Sequence, residues 1–321
     1  MEHSSPVATA LTSNTTTDSQ MAEISAGLLS PDPTISSKFF YDLRGSVLFE
    51  SITQLDAYYL TRTERSILCE IQDNLRELIG MGVTLVDLGA GNCSKAESLF
   101  QSLQPSHYVA VDIASEFLTG VLKRLRQSYA GIQIDQIDHD FSEGLGILPT
   151  QIHGPSVFFY PGSSIGNFSP ERARSFLRSI RVAASPGDSL LIGIDLVKEK
   201  AILEAAYNDP AGITRLFNLN ILEHINRLVF ADFDTRFWDH MAYYNDEAMR
   251  IEMHLISNRN QTVRWLGGER YFSAGESILT EYSHKYLLDE FEALLGGTGF
   301  HRIRHWTDDN KWFALILAQA K

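Results

Sequence analysis

The chain has 321 residues, enough for one large or two ordinary domains with a sizeable core. Hydrophobic residues make up 44% and charged residues 21%, which excludes a disordered, collagen-like or fibrous chain. A formal charge of −13 with no basic cluster argues against a nucleic-acid partner, and two cysteines, Cys69 and Cys93, allow neither a disulfide framework nor a four-thiolate zinc site, so a reducing, cytoplasmic setting is expected.

Residues 1–37 are dominated by Ser, Thr, Ala and Pro and contain no Lys or Arg, so they lack the marks of a signal or transit peptide and read as a loose, disordered tail. No later apolar stretch approaches the ~20 residues that cross a bilayer, so no membrane partner is expected. From Lys38 the composition turns aromatic and charged, with Phe39, Phe40, Tyr41, Phe49, Tyr58 and Tyr59, and structure should begin there. Ile67, Leu68, Ile71, Leu75 and Leu78 keep helical spacing across 64–79, and 84–89 is a short apolar run that stops at glycine. The alternation continues with a helix over 95–103, a strand over 108–113, a helix over 115–129 and a strand over 132–137. Further strands are expected at 157–160 and 190–196, separated by a helix that Ser169 caps and Pro170 opens. This βα rhythm predicts a parallel sheet covered by helices on both faces.

After Asp195 the rhythm breaks for roughly 85 residues, with two helix-like stretches and an extended run over 250–257, which reads as an inserted second domain. At the end, 300–306 and 313–318 are strand-like, and Asp308-Asp309-Asn310 between them suits an antiparallel hairpin.

The segment Val86-Asp87-Leu88-Gly89-Ala90-Gly91-Asn92 ends the first strand in a glycine-rich turn, where backbone can approach a ligand closely. A nicotinamide-binding fingerprint needs a third glycine, and Ser94 stands in its place. The segment resembles motif I of S-adenosylmethionine-dependent methyltransferases. Asp112 ends the second strand roughly 20 residues past the glycines, where a carboxylate can accept from both ribose hydroxyls. Asp140-Phe141 follows the third strand, and in methyltransferases of this layout that pair supplies a polar contact and an aromatic wall for adenine. His139, His224, His240, His254 and His284 form no compact ligand spacing, so no metal is expected. A serine nucleophile within 162–166 is not expected either.

Phe39-Phe40-Tyr41-Asp42, Gly45 to Phe49, Tyr58-Tyr59, Thr61 to Glu64, Pro161 to Phe168, Arg250 to His254, Thr280 to Ser283 and Trp306 to Asp309 together resemble successive landmarks of the histidine Nα-methyltransferases of ergothioneine biosynthesis. The resemblance runs from Lys38 to Lys321 and leaves the Ser/Thr-rich tail outside. It implies an α/β, class I methyltransferase Rossmann-like, mostly parallel sheet ending in an antiparallel hairpin, with a second substrate-binding α+β domain. Residues 62–197 and 284–321 would bind S-adenosylmethionine, releasing S-adenosylhomocysteine, and residues 38–61 and 198–283 would bind the substrate. The reaction implied is three methyl transfers to the α-amine of L-histidine, giving hercynine, by a cytoplasmic monomer acting on a small amino acid.

Carried over residue by residue, the resemblance gives Gly89, Gly91, Lys95, Asp112, Asp140 and Phe141 to the methyl donor. Asn167 would hold the substrate's α-amino and carboxylate end, Tyr207 would donate to the carboxylate, and Tyr58 would lie beside the amine as a proton relay through water. Glu281 and Ser283 would read the imidazole, a carboxylate for the ring N–H and a hydroxyl for the other nitrogen. Tyr41, Phe49, Gly162, Thr214 and Met253 would wall the pocket, with Tyr41 and Phe49 able to face the growing quaternary ammonium. Two other readings stay open: an Nα-methyltransferase for tryptophan or a derivative, which has no use for an acid at Glu281, and a non-catalytic S-adenosylmethionine sensor, which has no use for an amino-acid pocket.

Overall fold

Five short strands form a parallel array: β1 (Thr84–Leu88), β2 (His107–Asp112), β4 (Ser156–Tyr160) and β5 (Ser189–Asp195) are buried and mostly apolar, and β3 (Gln133–Asp138), at the sheet edge, buries only Ile134 and Ile137. The computed structural model describes residues 6–140, 144, 145, 152 and 154–321, with residues 6–17 described by backbone alone. Two antiparallel strands, β11 (Phe300–Thr307) and β12 (Phe313–Ala320), close one edge, so the sheet order is β11-β12-β5-β4-β1-β2-β3. The order reverses at β1, between β4 and β2, and in open α/β sheets ligands bind outside the strand ends at such a switch point. Asp308 accepts from the backbone N–H groups of Asn310, Trp312 and Phe313, which fixes the turn between β11 and β12.

Helices cover both faces, as the βα rhythm predicts. Ser169 Oγ accepts from Arg172 N at 3.3 Å and Pro170 opens α8 (Pro170–Ala183), whose Phe176, Leu177 and Ile180 are buried. Two expected helices are each broken in two. The apolar spacing of 64–79 belongs to α3 (Tyr59–Glu70) and α4 (Gln72–Ile79), with Ile71 leaving helical geometry between them, and 94–103 divides into α5 (Ser94–Ser98) and α6 (Phe100–Leu103). In both cases the hydrophobic face is continuous across the break, so periodicity alone does not reveal it.

The stretch after β5 folds apart from the parallel array. Helices α9 (Lys200–Tyr207) and α10 (Ile213–Val229) precede β6 (Trp238–Asn245), β7 (Arg250–Ser257) and β10 (Ser277–His284), which form an antiparallel sheet in the order β10-β7-β6, while β8 (Gln261–Trp265) and β9 (Gly268–Phe272) make a separate hairpin. One hydrophobic cluster joins this insertion to α2 (Leu43–Ile52) and the aromatic opening, through Phe40, Phe217 and Leu255. Asp42 caps α2 by accepting from Gly45 N at 2.7 Å and also accepts from Asn220 Nδ2 on α10 at 2.8 Å, so the cap doubles as the weld between the two segments.

The reading of residues 1–37 as a loose tail is overturned by α1 (Pro6–Leu29) and the chain that follows it. Ile24 and Leu28, one helical turn apart, are buried in the insertion's core together with Ile35. Burying each such side chain contributes about 1.5–3 kcal/mol toward ordering the segment. Arg270 donates to the carbonyls of Leu28, Ser30 and Pro31 at the helix end, Trp265 Nε1 donates to Ser25 Oγ at 3.1 Å, and Thr34 bridges Leu279 on β10. The Ser/Thr content hid a sparse apolar stripe. No helix among the described residues is long and apolar enough to cross a membrane.

Candidate active site

The turn after β1 carries Gly89 at φ 77° and Gly91 at φ 51°, and a Cβ at Gly91 would meet open space, so backbone conformation rather than crowding requires glycine there. The turn is locked from the next strand: Gly91 N donates to Asp112 Oδ2 at 2.8 Å, and Ala114 N donates to Asp112 Oδ1 at 2.8 Å. Burial raises the Asp112 carboxyl above its ordinary range while these N–H groups pull it back, which leaves acceptor capacity on a preorganised carboxylate. Beside it Asp87 Oδ1 is buried without a hydrogen-bond partner, and burial pushes that carboxyl up to about 7. A cavity of about 570 Å³ opens over these groups, within the usual size for a small-molecule or cofactor site. Gly89, Gly91, Lys95, Asp112 and Asp140 all line it. Phe141 lies outside the described residues. The preformed glycine turn, the held Asp112 carboxylate and the orphaned Asp87 oxygen together fit a ligand rich in hydroxyl and amino groups, as S-adenosylmethionine is.

A smaller recess of about 50 Å³ continues from the cavity beneath β10 and α10. Tyr41, Phe49, Tyr58, Gly162, Asn167 and Glu281 face both spaces, and Tyr207, Thr214, Met253 and Ser283 line the recess. Rings form one wall: Tyr41 and Phe49 have centroids 5.8 Å apart, Phe49 and Tyr58 6.3 Å, and Tyr58 and Tyr207 6.1 Å, all edge to face. Burial, reinforced by neighbouring acids and phenols, raises the hydroxyls of Tyr41, Tyr58 and Tyr207 well above their ordinary range, so each is a neutral O–H at physiological pH. Burial also lifts the Glu281 carboxyl to about 7, against the opposing effects of Lys285 and Asn167.

Asn167 and Glu281 were expected at opposite ends of a substrate, yet they touch: Asn167 Nδ2 donates to Glu281 Oε1 at 3.1 Å. Tyr207 and Ser283, also expected at separate groups of the substrate, are hydrogen-bonded to each other at 2.8 Å. The segment Gly162-Ser163-Ser164-Ile165-Gly166 does carry GxSxG spacing, so spacing alone does not exclude a nucleophile elbow. Ser164 Oγ instead donates to Pro161 O at 3.1 Å rather than to a histidine base. Among the described residues no group of His, Cys, Asp and Glu could hold a metal ion.

Several residues that position the site escape sequence reasoning. Glu64, fully buried on α3, accepts from Gly162 N at 2.8 and 3.0 Å and pairs with Lys95 Nζ at 2.6 Å, so one carboxylate ties the loop after β4 to the lysine that follows the glycine turn. Glu50 on α2 accepts from Asn92 Nδ2 at 2.7 Å and ties the aromatic segment to the glycine turn. Lys38 pairs with Asp140 at 2.8 Å and with Glu23 on α1 at 2.7 Å, which brings the first helix to the cavity rim. Lys285, fully buried, donates to Ser283 Oγ at 2.8 Å and Tyr207 Oη at 3.2 Å and pairs with Asp195 at 2.8 Å. The available signal was charge in apolar settings: Asp195 ends a buried strand, and Asp87 interrupts another.

A family model described as "Histidine-specific methyltransferase, SAM-dependent" matches residues 20–320. The match begins inside α1, so the segment first read as outside the resemblance is partly within it. The chain is 38% identical to a histidine N-alpha-methyltransferase of Mycobacterium tuberculosis, over 92% of this chain and 93% of that one. It is 31% identical to ergothioneine biosynthesis protein 1 of Neurospora crassa over 88% of this chain and 32% of that longer protein. A 4-dimethylallyltryptophan N-methyltransferase of Arthroderma benhamiae is 26% identical over 89% of each.

Proposed function

The chain belongs to the histidine-specific, S-adenosylmethionine-dependent methyltransferase family, and we propose that it methylates the α-amine of L-histidine three times, giving hercynine for ergothioneine biosynthesis. The observation that carries the histidine reading is Glu281, an acid with its carboxyl lifted to about 7 in a recess that adjoins the donor cavity. An imidazole is the side chain that uses such a group, because its N–H needs an acceptor and its other nitrogen can take a proton. A tryptophan derivative has one ring N–H and no second nitrogen, and it would leave part of the polar recess of Asn167, Tyr207, Glu281 and Ser283 unmatched.

The donor supplies an electrophilic methyl group on a sulfonium. The protein's task is alignment and exclusion of water. Asn167 and Tyr207 hold the amino-acid backbone, while Glu281 and Ser283 read the ring. Tyr41 and Phe49 present ring faces to an ammonium that loses its hydration as methyl groups accumulate, an attraction worth about 0.5–2 kcal/mol. Tyr58 stays neutral, so it passes a proton as a hydroxyl, accepting one as it hands one on, and does not act as a phenolate base. The division into a donor domain (62–197 and 284–321) and a substrate domain (38–61 and 198–283), with α1 added to the latter, is supported by the hydrophobic cluster that joins α1, α2, α10 and β7. The protein is proposed to act as a cytoplasmic monomer on the free amino acid, which gel filtration tests.

The deciding experiment offers labelled S-adenosylmethionine and the twenty amino acids to the protein and to Glu281→Ala. Trimethylated histidine is the expected product. The variant should lose kcat/KM for histidine by roughly tenfold to over a hundredfold, and much less for any residual activity on tryptophan. Equal loss on both amino acids would remove Glu281 from substrate recognition.

A further inference from the structure

Lys285 is a fully buried ammonium whose three protons have three acceptors: Ser283 Oγ at 2.8 Å, Tyr207 Oη at 3.2 Å and Asp195 Oδ2 at 2.8 Å. The two hydroxyls also bond to each other at 2.8 Å. Counting protons restricts what this trio offers a ligand. An ammonium only donates, so each hydroxyl oxygen spends one lone pair on Lys285. The hydroxyls own one proton each, and one of these lies between them. A single proton is left for the recess. If Tyr207 donates outward, Ser283 donates to Tyr207 and keeps one lone pair, so it can only accept. If Ser283 donates outward, Tyr207 donates to Ser283, accepts from Lys285 and keeps one lone pair, so it can only accept.

We infer that Lys285 is a positioning residue that restricts this pair to one outward donor and one outward acceptor, with Tyr207 as the donor to a substrate carboxylate and Ser283 as the acceptor from an imidazole N–H. The inference rests on the proposed amino-acid pocket and deepens it. Only the first arrangement suits a carboxylate at Tyr207: a carboxylate cannot donate, so it demands the Tyr207 proton, and the lone pair left on Ser283 then meets a ring N–H. The arrangement replaces the expected hydroxyl donor at Ser283 by an acceptor. It also fixes what Glu281 meets. With one ring N–H given to Ser283, the second nitrogen faces Glu281 either as a lone pair opposite a protonated carboxyl or as an N–H opposite a carboxylate. In both cases ring and acid share one proton between them.

Asp195 anchors Lys285 from below and is itself held by the Tyr59 hydroxyl at 2.7 and 2.9 Å and by Lys198 at 2.5 Å. Loss of Lys285 therefore leaves that carboxylate with two partners, which favours a folded Lys285→Met variant. Lys285→Met should raise KM for histidine tenfold or more, change kcat at saturating histidine less than threefold, and leave the calorimetric Kd for S-adenosylhomocysteine within twofold. A histidine KM within twofold of the parent would overturn the inference. Should Lys285→Met bind no S-adenosylhomocysteine, and so be misfolded, Tyr207→Phe, Ser283→Ala and the double variant decide in the Lys285 background. The inference requires coupling: the combined rise in KM should fall at least tenfold short of the product of the single effects, because each substitution already breaks the polarity of the pair. Effects that multiply within twofold would overturn it while keeping both hydroxyls in the pocket. Single variants with parental KM for histidine would overturn the pocket reading, and the inference with it.

Discussion

Asn167 Nδ2 and Glu281 Oε1 lie 3.1 Å apart, and this bond joins the loop after β4 to β10, an edge strand of the antiparallel sheet. It links the parallel array, which carries the glycine turn over which the larger cavity opens, to the antiparallel insertion, which walls part of the recess. The amide cannot neutralise the acid, so Glu281 remains a carboxyl whose charge is disfavoured by its surroundings. A group of this kind matters twice, once for recognition and once for stability.

The stability effect has a definite sign. The folded-state pKa of Glu281 is about 7, above the ordinary value of 4.5, so between those values the folded protein holds a proton that the unfolded chain has released. The stabilisation associated with that proton is complete below pH 4.5 and is lost as pH rises through 7. Its size is up to about 3 kcal/mol for a shift of this order. Glu281→Gln has no such proton to lose. Urea unfolding from pH 4.5 to 8 should show the variant gaining on the parent as pH rises, and a constant difference between the two would place the Glu281 pKa near its ordinary value.

Asp112 should decide donor affinity. Both its oxygens are held by backbone N–H groups, so the carboxylate faces a ligand without rearranging. Asp112→Ala removes charge-assisted hydrogen bonds worth about 1.5–3 kcal/mol and also releases Gly91 N. S-adenosylhomocysteine should bind at least tenfold more weakly in calorimetry, with histidine KM at saturating donor changed much less. Unchanged affinity would take Asp112 out of the donor site.

The first helix should also report on the donor. Lys38 bridges Glu23 of α1 and Asp140 at the cavity rim, and its own ammonium is held charged by these two acids against partial burial. Lys38→Met cuts α1 from Asp140 but leaves Ile24 and Leu28 in the core. The expected result is a several-fold weaker S-adenosylhomocysteine Kd and faster proteolysis within residues 6–37, which bound ligand no longer slows. Ligand protection equal to the parent's would show that α1 is not coupled to the site.

The glycine turn and the carboxylate that holds it were legible because their parts are local: Gly89 and Gly91 follow β1, and Asp112 ends β2, so strand periodicity and turn chemistry locate them together. The parallel sheet and its terminal hairpin follow from the same signals. The N-terminal helix was missed because the Ser and Thr content of the segment outweighs its apolar Met21, Ile24 and Leu28, whose partners are on β9 and α10, more than 180 residues away. Lys285 and Glu64 were missed for a related reason. A charged residue in a polar-looking run reads as solvated until tertiary structure buries it, and here burial comes from partners far apart in sequence.

Glu64 offers the most demanding test of how the site is held. Its carboxylate, with no solvent exposure, accepts from Gly162 N and pairs with Lys95, so it fixes the backbone of the substrate loop and the direction of a donor-side lysine at once. Space for it exists because residue 193 on β5 is glycine: a Cβ there would stand 2.3 Å from Glu64 Oε1. Glu64→Gln keeps the shape and one acceptor but removes the charge opposite Lys95. Breaking a buried pair from one side costs about 3–5 kcal/mol, and Lys95 can regain water from the cavity, so a loss of about 2 kcal/mol is the reasonable scale. Gly193→Ala leaves the charge and moves it, by forcing the carboxylate off Gly162 N. The two substitutions share no atom, yet both should weaken S-adenosylhomocysteine binding and raise KM for histidine together, because one group serves both sides. If Gly193→Ala lowers stability while both affinities stay parental, Glu64 is a core ion pair and the loop is positioned by something else.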